Sequence, residues 1–173
     1  MKWVLLVPLI FLAACDEATV ITHVDRDTSI DGSDLIAMQS GGGIPTVVLG
    51  KAFQGASSDE LIAGLQPPAG GSQEIAWREI SPEGPRHRTW MVLHFNPLGP
   101  PNPAADCRLT DEIPTGQPRS EGFEVTMSFC KDNRAEAHGH LKALKVQSGD
   151  FDAYSNVMRQ LLNAIFAEAG SER

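Results

Sequence analysis

Residues 88–95, Arg-Thr-Trp-Met-Val-Leu-His-Phe, are the stretch from which the fold can be worked out. Apolar side chains occupy both odd and even positions of this run, as in a strand that lies inside a sheet and is covered on both faces. Two alternating segments follow it, residues 123–130 and residues 135–146, with a turn at Asp132-Asn133 between them. These three segments predict neighbouring strands of one antiparallel sheet.

Helices are predicted at two places around this sheet. A first strand over residues 46–53 is followed by residues 57–60, which have the spacing of a capping box, and Pro67-Pro68 ends the short helix. A C-terminal helix begins at Ser148 or Asp150 and carries an apolar stripe at steps of three or four residues. We therefore predict an α+β fold: an antiparallel sheet of four to five strands with one short helix and a long C-terminal amphipathic helix.

The first fifteen residues have the pattern of an export signal. Lys2 is followed by an apolar run of 12 residues ending at Ala14, which is shorter than the roughly 20 residues that a membrane-spanning helix needs. The run ends in Leu12-Ala13-Ala14-Cys15, which resembles the lipobox of bacterial lipoproteins. The resemblance implies cleavage before Cys15, a diacylglycerol thioether on its sulfur and an acyl chain such as palmitate on its amine. A plain secretory signal or an uncleaved hydrophobic anchor are the alternatives.

The residue after this cysteine is an aspartate. Asp16 resembles the signal by which enteric bacteria retain a lipoprotein in the inner membrane. The expected location is therefore the periplasmic face of the cell envelope, with a slight preference for the inner membrane. The expected partners are the membrane itself, through the lipid at Cys15, and possible envelope proteins.

The cysteine count agrees with export. Lipidation of Cys15 leaves Cys107 and Cys130, an even pair in an oxidising compartment, where a disulfide is the default state. Cys107 lies in a proline-rich loop over residues 96–120, and loops of this length are often braced. A redox or metal-binding thiol pair is the alternative, but the chain has no Cys-x-x-Cys motif.

The chain divides into three parts by composition. Residues 1–14 form the signal peptide, residues 15–43 the lipid anchor and a flexible tether that ends in three glycines, and residues 44–173 a single domain. Within the tether, residues 19–24 are also compatible with an edge strand and residues 33–39 with one helical turn. The formal net charge of −8 becomes −9 when Lys2 is removed, so a nucleic-acid partner is not expected.

One pattern has metal-ligand character. Residues two apart on a strand point to the same face, so His138 and His140 could hold one cation between them, with His94 as a third ligand on a nearby strand. The alternative interpretation is that these histidines only face solvent on the sheet. The motifs Gly-x-Ser-x-Gly and Ser-x-x-Lys are absent from the sequence. No catalytic residue, no metal ligand and no cofactor is therefore assigned, although an envelope hydrolase stays open as a further alternative.

The mature part also resembles a group of small proteobacterial lipoproteins for which no activity is assigned. The resemblance is carried by residues 47–53, 90–97, 105–107 and 127–132 and by the closing amphipathic helix. It implies that the two cysteines are partners and carries over no catalytic or binding residue. The expected function is that of a lipid-anchored envelope lipoprotein with a non-enzymatic accessory or binding role. A periplasmic metal-binding protein using His138 and His140 is the alternative.

Overall fold

The computed structural model describes residues 19–26, 32–39, 42–67, 75–84, 87–109 and 113–166. The strands within these ranges are β1 (Thr19–Arg26), β2 (Ile44–Leu49), β3 (Trp77–Glu79), β4 (Thr89–Phe95), β5 (Glu121–Lys131) and β6 (Arg134–Gln147). The helices are α1 (Gly32–Met38), α2 (Ser58–Ala63), α3 (Pro103–Arg108) and α4 (Phe151–Phe166). The predicted export signal and lipobox lie outside the described residues.

The strands form one mixed sheet of six in the order β1-β6-β5-β4-β2-β3. The prediction of an antiparallel α+β sheet with four to five strands is therefore wrong. The strands β1, β6, β5 and β4 pair antiparallel, whereas β2 pairs parallel with both β4 and β3. The architecture is mixed α/β.

The prediction failed because it assumed that consecutive strands meet through hairpins. The helix α2 lies between β2 and β3 and carries the chain back along the sheet, so β3 enters in the same direction as β2. Alternation over residues 74–80 predicts a strand there, and β3 lies within that range, but the alternation does not show that β3 runs parallel to β2. The strand β1 comes from the segment predicted as a tether, pairs with β6 and forms the opposite edge of the sheet.

The helices also differ from the prediction of one short and one long helix. Three helices are short: α1 has seven residues, α2 has six and α3 has six. The prolines around α3 concealed it, but Pro103 occupies the first turn, where proline is tolerated, and the side chain of Asn102 accepts a hydrogen bond from the Ala105 backbone N–H. The final helix, α4, has 16 residues, close to an average helix, and is not long.

Two local predictions are confirmed. The side chain of Ser57 accepts a hydrogen bond from the Glu60 backbone N–H, and the Ser57 backbone N–H donates to the Glu60 carboxylate, which completes the capping box of α2. Asp132 and Asn133 both have positive φ angles, 49° and 64°, as a two-residue β-hairpin turn requires. This turn sets the pairing of β5 with β6.

The main core lies between α4 and one face of the sheet. The buried side chains of α4 follow the predicted three- and four-residue steps. They are Tyr154, Ser155, Val157, Met158, Leu161, Leu162, Ile165 and Phe166. Opposite them on β6 lies Gly139, where an added Cβ would come within 2.7 Å of Leu161 Cδ1 and 3.0 Å of Ile165 Cγ1. The missing side chain at Gly139 therefore lets α4 lie close to the sheet.

The opposite face of the sheet carries a second, smaller apolar cluster beneath α3. Its buried members are Val47, Trp90, Val92, Cys107 and Cys130. Cys107 of α3 and Cys130 of β5 are joined as a disulfide, with their Cα atoms 5.4 Å apart, as the cysteine count predicts. The disulfide fixes α3 over this face of the sheet.

We predict that Gly139→Ala lowers the free energy of unfolding by about 1–3 kcal/mol, because the new methyl group overlaps Leu161 and Ile165. In a Leu161→Ala background the same change should cost less, since one overlapping side chain is gone. Chemical denaturation of the four proteins measures this coupling as a double-mutant cycle. Equal costs in both backgrounds would contradict the packing described.

We also predict that replacing Cys107 and Cys130 together by alanine lowers the free energy of unfolding by about 3 kcal/mol, because the unfolded chain loses a cross-link over 23 residues. Thermal melts with and without reductant measure the effect. Reductant should lower the melting temperature of the parent protein and leave that of the double variant unchanged. A parent protein insensitive to reductant would argue against the disulfide.

Candidate functional site

Polar side chains form a row across the sheet face that α3 partly covers. His94, Thr126 and His140 are direct register neighbours on β4, β5 and β6, and His23 of β1 lies opposite His140. Directly opposite residues of antiparallel strands point to the same side of the sheet. We call this side, opposite to α4, the histidine face.

A buried histidine and a buried carboxylate join the histidine face to α3. His94 Nδ1 donates to Asp106 Oδ1 over 2.9 Å, and both side chains are almost fully buried. Asp106 directly precedes Cys107, so the disulfide and this hydrogen bond hold the same helix. The remaining polar atoms of the pair, His94 Nε2 and Asp106 Oδ2, are buried and have no hydrogen-bond partner among the described residues.

The second buried histidine has a different environment. His140 Nδ1 lies 3.1 Å from Thr126 Oγ1, and its Nε2 lies 3.9 Å from the carboxylate of Glu124. Glu124 in turn pairs with Lys142 at 3.3 Å and with Arg119 at 3.7 Å. Burial lowers the pKa of His140 below its ordinary value, while Glu124 opposes this effect. Both ring nitrogens of His140 therefore face groups of the sheet itself.

The third histidine of the face, His138, lies two residues before His140 on β6, outside this row, and forms a cluster with β1. Asp25 is its direct cross-strand partner, and the ring of His23 lies 5.2 Å from the ring of His138, centroid to centroid. One ligand atom from each of these three residues lies within 4.8 Å of the other two. Burial lowers the pKa of His138, and His23 adds to this, whereas Asp25 and Asp106 oppose it. Neutral imidazole is the form of histidine that binds metal ions.

A groove of about 520 Å³ opens beside this cluster. It runs between α3 and the turn that joins β5 to β6. Asp25 and His138 line one wall, and Ala104, Arg108 and Asn133 are among the residues that line the rest. A small molecule or ion in the groove would therefore meet the carboxylate and the imidazole directly.

The three histidines predicted as candidate metal ligands, His94, His138 and His140, have different surroundings in the structure. His138 and His140 do share a face, as expected for residues two apart on a strand, and His94 is on it too. However, His140 and His94 are buried and bonded to other residues of the fold, whereas His138 is grouped with His23 and Asp25. Cys15 lies outside the described residues.

The two residues of the cluster that sequence reasoning missed, His23 and Asp25, fall in the segment predicted as a tether. Their signal was the polar-apolar-polar run His23-Val24-Asp25 at the end of the edge strand considered for residues 19–24. Only the register of β1 on β6 brings them to His138. That register cannot be read from the strand alone.

The Asp106 and His94 pair has the geometry of the acid and base of a catalytic triad, but not its nucleophile. A triad needs a hydroxyl or thiol bonded to the free imidazole nitrogen, and His94 Nε2 has no hydrogen-bond partner among the described residues. Ser128, a buried hydroxyl on the same face, is also without a partner in this part of the chain. The arrangement supports a role for the pair in holding α3.

We predict that Asp106→Ala lowers the free energy of unfolding by about 2–4 kcal/mol, because it leaves the His94 N–H buried without an acceptor. Asp106→Asn keeps an acceptor and should cost less. As a control, Asp132→Asn removes a carboxylate in an exposed pair with Arg88 and should cost less than about 1 kcal/mol. Chemical denaturation compares the three variants, and equal costs for Asp106→Ala and Asp132→Asn would contradict this role.

Within the described ranges, no helix combines the length and the apolar character needed to cross a membrane. Comparison of the chain with protein-family models, with curated proteins and with solved structures finds no significant match.

Proposed function

We propose that this protein is a lipoprotein of the bacterial cell envelope, anchored through Cys15, that acts as a non-enzymatic accessory or binding protein. The observation that carries the proposal is the tetrapeptide Leu12-Ala13-Ala14-Cys15 at the end of an apolar run of 12 residues. One acyl chain holds a protein at a membrane only marginally, whereas two or more chains hold it stably. The acylation pattern implied by the lipobox supplies more than one chain.

The paired cysteines support export. Disulfides form and persist in oxidising compartments such as the periplasm and are rare in the cytosol. Cys107 and Cys130 are joined in the folded domain, and both are fully buried. The third cysteine, Cys15, is then left for lipid attachment.

The position of β1 favours a domain that lies against the membrane. Thr19, the first residue of β1, follows Cys15 by four positions, a distance along the chain of at most about 14 Å. At this end of the sheet, Val20 and Leu144 are 40% and 55% exposed. Exposed aliphatic side chains next to a lipid anchor suit the boundary between headgroups and acyl chains.

The charge of the chain makes the lipid essential to this arrangement. The proposed mature form has a net charge of −9, which gives no attraction to the anionic surface of a membrane. Membrane binding must therefore come from the acyl chains at Cys15. Asp16 supports the periplasmic face of the inner membrane as the location.

The histidine face supports a binding role rather than an enzymatic one. It offers imidazoles and carboxylates beside an open groove, while the buried acid and base pair lacks a nucleophile among the described residues. These groups suit the capture of a small ligand or of a partner's side chain. The proposal therefore places the working surface on the side of the sheet opposite to α4.

We predict that Cys15→Ala moves the protein from the membrane fraction to the soluble fraction or leaves it as an uncleaved precursor, because no acyl chain can be attached. Mass spectrometry of the parent protein from bacterial membranes should find an acylated N-terminus at Cys15. As a matched control, the variant with alanine at both Cys107 and Cys130 should keep its acyl chains. A parent chain that still begins at Met1, or one that is cut elsewhere and unmodified, would overturn the proposal.

Crosslinking in the same membranes, followed by mass spectrometry of the crosslinked proteins, identifies any envelope partner.

A further inference from the structure

We propose that His23, Asp25 and His138 form a binding site for a divalent transition-metal ion, with Zn²⁺ as the ion that fits best and with an open coordination position towards the groove beside α3. The inference deepens the binding role proposed above and rests on it. The lipid anchor is independent of it and is tested separately through Cys15.

The backbone register brings the three ligands together. Asp25 lies directly opposite His138 across the β1 and β6 ladder, and His23 precedes Asp25 by two residues on the same face of β1. Two ligands therefore come from an edge strand and one from its neighbour. Because the strands are hydrogen-bonded to each other, only side-chain rotations separate the present arrangement from a coordinated one.

The distances fit a zinc ion after small rotations. The three ligand atoms lie within 4.8 Å of one another. Ligand atoms around one tetrahedral Zn²⁺, with bonds of about 2.0–2.2 Å, are roughly 3.3–3.5 Å apart. The side chains of His23 and Asp25 are exposed, so they can move by the required ångström or so without disturbing the core.

The donor set selects the class of ion. Two imidazoles and one carboxylate suit zinc and its neighbours in the first transition row, whereas Ca²⁺ and Mg²⁺ prefer oxygen ligands alone. Three protein ligands with a fourth position open are typical of sites where zinc meets water or another molecule. In this site the open position faces the groove that Asp25 and His138 line.

The surroundings of His138 suit a metal ligand. The ring is half-buried, whereas His23 and Asp25 are exposed. The site therefore joins one ligand held in the packed sheet to two ligands that can rotate towards it.

Metal binding at this site would also have a structural effect. The strand β1 is at the edge of the sheet and pairs only with β6 within the described residues. A zinc ion held by His23, Asp25 and His138 would cross-link these two strands. Backbone amides of β1 should then exchange with solvent more slowly in the presence of zinc, which gives a readout that needs no knowledge of any activity.

Isothermal titration of the metal-free full chain, in a mild detergent, with Zn²⁺ as the probe tests the proposal. We expect one Zn²⁺ per chain, a higher melting temperature and slower exchange of the β1 amides. His23→Ala, Asp25→Asn and His138→Ala should each weaken binding by about tenfold or more. His87 lines a different pocket, beside Met38 and Pro45, and is not part of the cluster. His87→Ala is therefore the matched control and should bind zinc as the parent protein does.

Several outcomes would overturn this assignment. One is that the parent protein binds no zinc, and another is that each of the three single variants still binds zinc as the parent does. A third is that His140→Gln loses zinc binding while His23→Ala keeps it. The last result would identify the pair His138 and His140 as the ligands instead. Melting of each variant without metal shows whether it is folded. A lost zinc site in a protein that keeps its acyl chains at Cys15 would refute this inference and leave the anchor intact.

Discussion

The register of the β5 and β6 hairpin is the constraint on which the rest of the structure depends. Side chains alternate between the two faces of a strand, so a slip of one residue would exchange every buried residue of β6 for its neighbour. With the observed register, Gly139 lies beneath Leu161 and Ile165 of α4, and His138 and His140 point to the opposite side. The close approach of the helix at Gly139 therefore decides which face carries the histidines. The turn at Asp132 and Asn133 holds that register at one end.

The second face is held by a different set of interactions. The helix α3 has only six residues and cannot be stable alone, so its position depends on what ties it to the sheet. Cys107 forms the disulfide, and the adjacent Asp106 accepts the hydrogen bond from His94 Nδ1, so both interactions anchor the same turn. A buried charged or polar pair contributes little by itself, because desolvation offsets the attraction. The position of α3 nevertheless matters to this pair, because His94 Nδ1 has its acceptor only when α3 is in place.

Sequence patterns predicted the local features and missed the long-range ones. The capping box at Ser57, the turn at Asp132 and the apolar stripe of α4 depend on residues close together in the chain, and each was recognised from spacing alone. The strand β2 pairs parallel with β4, a strand that lies about 40 residues further along the chain. No local sequence pattern shows which strand will be its neighbour. In the candidate site, the face of His138 followed from the period of the strand. Its grouping with His23 and Asp25 did not, because those residues lie far away in the chain and meet it only through the register of β1 on β6.

The proposed anchor at Cys15 comes shortly before β1, and two ligands of the proposed metal site lie on β1. The strand therefore sets the distance between the anchor and the metal site. Thr19 begins β1 four residues after Cys15, and His23 and Asp25 follow on the same strand at a rise of about 3.4 Å per residue. The ligands therefore lie about 14–20 Å along the strand from Thr19, beyond the exposed Val20. A domain held with the start of β1 at the bilayer would then present the metal ligands away from the lipid. The groove beside α3 would be open to the aqueous side of the envelope, where a metal ion or a partner protein can reach it.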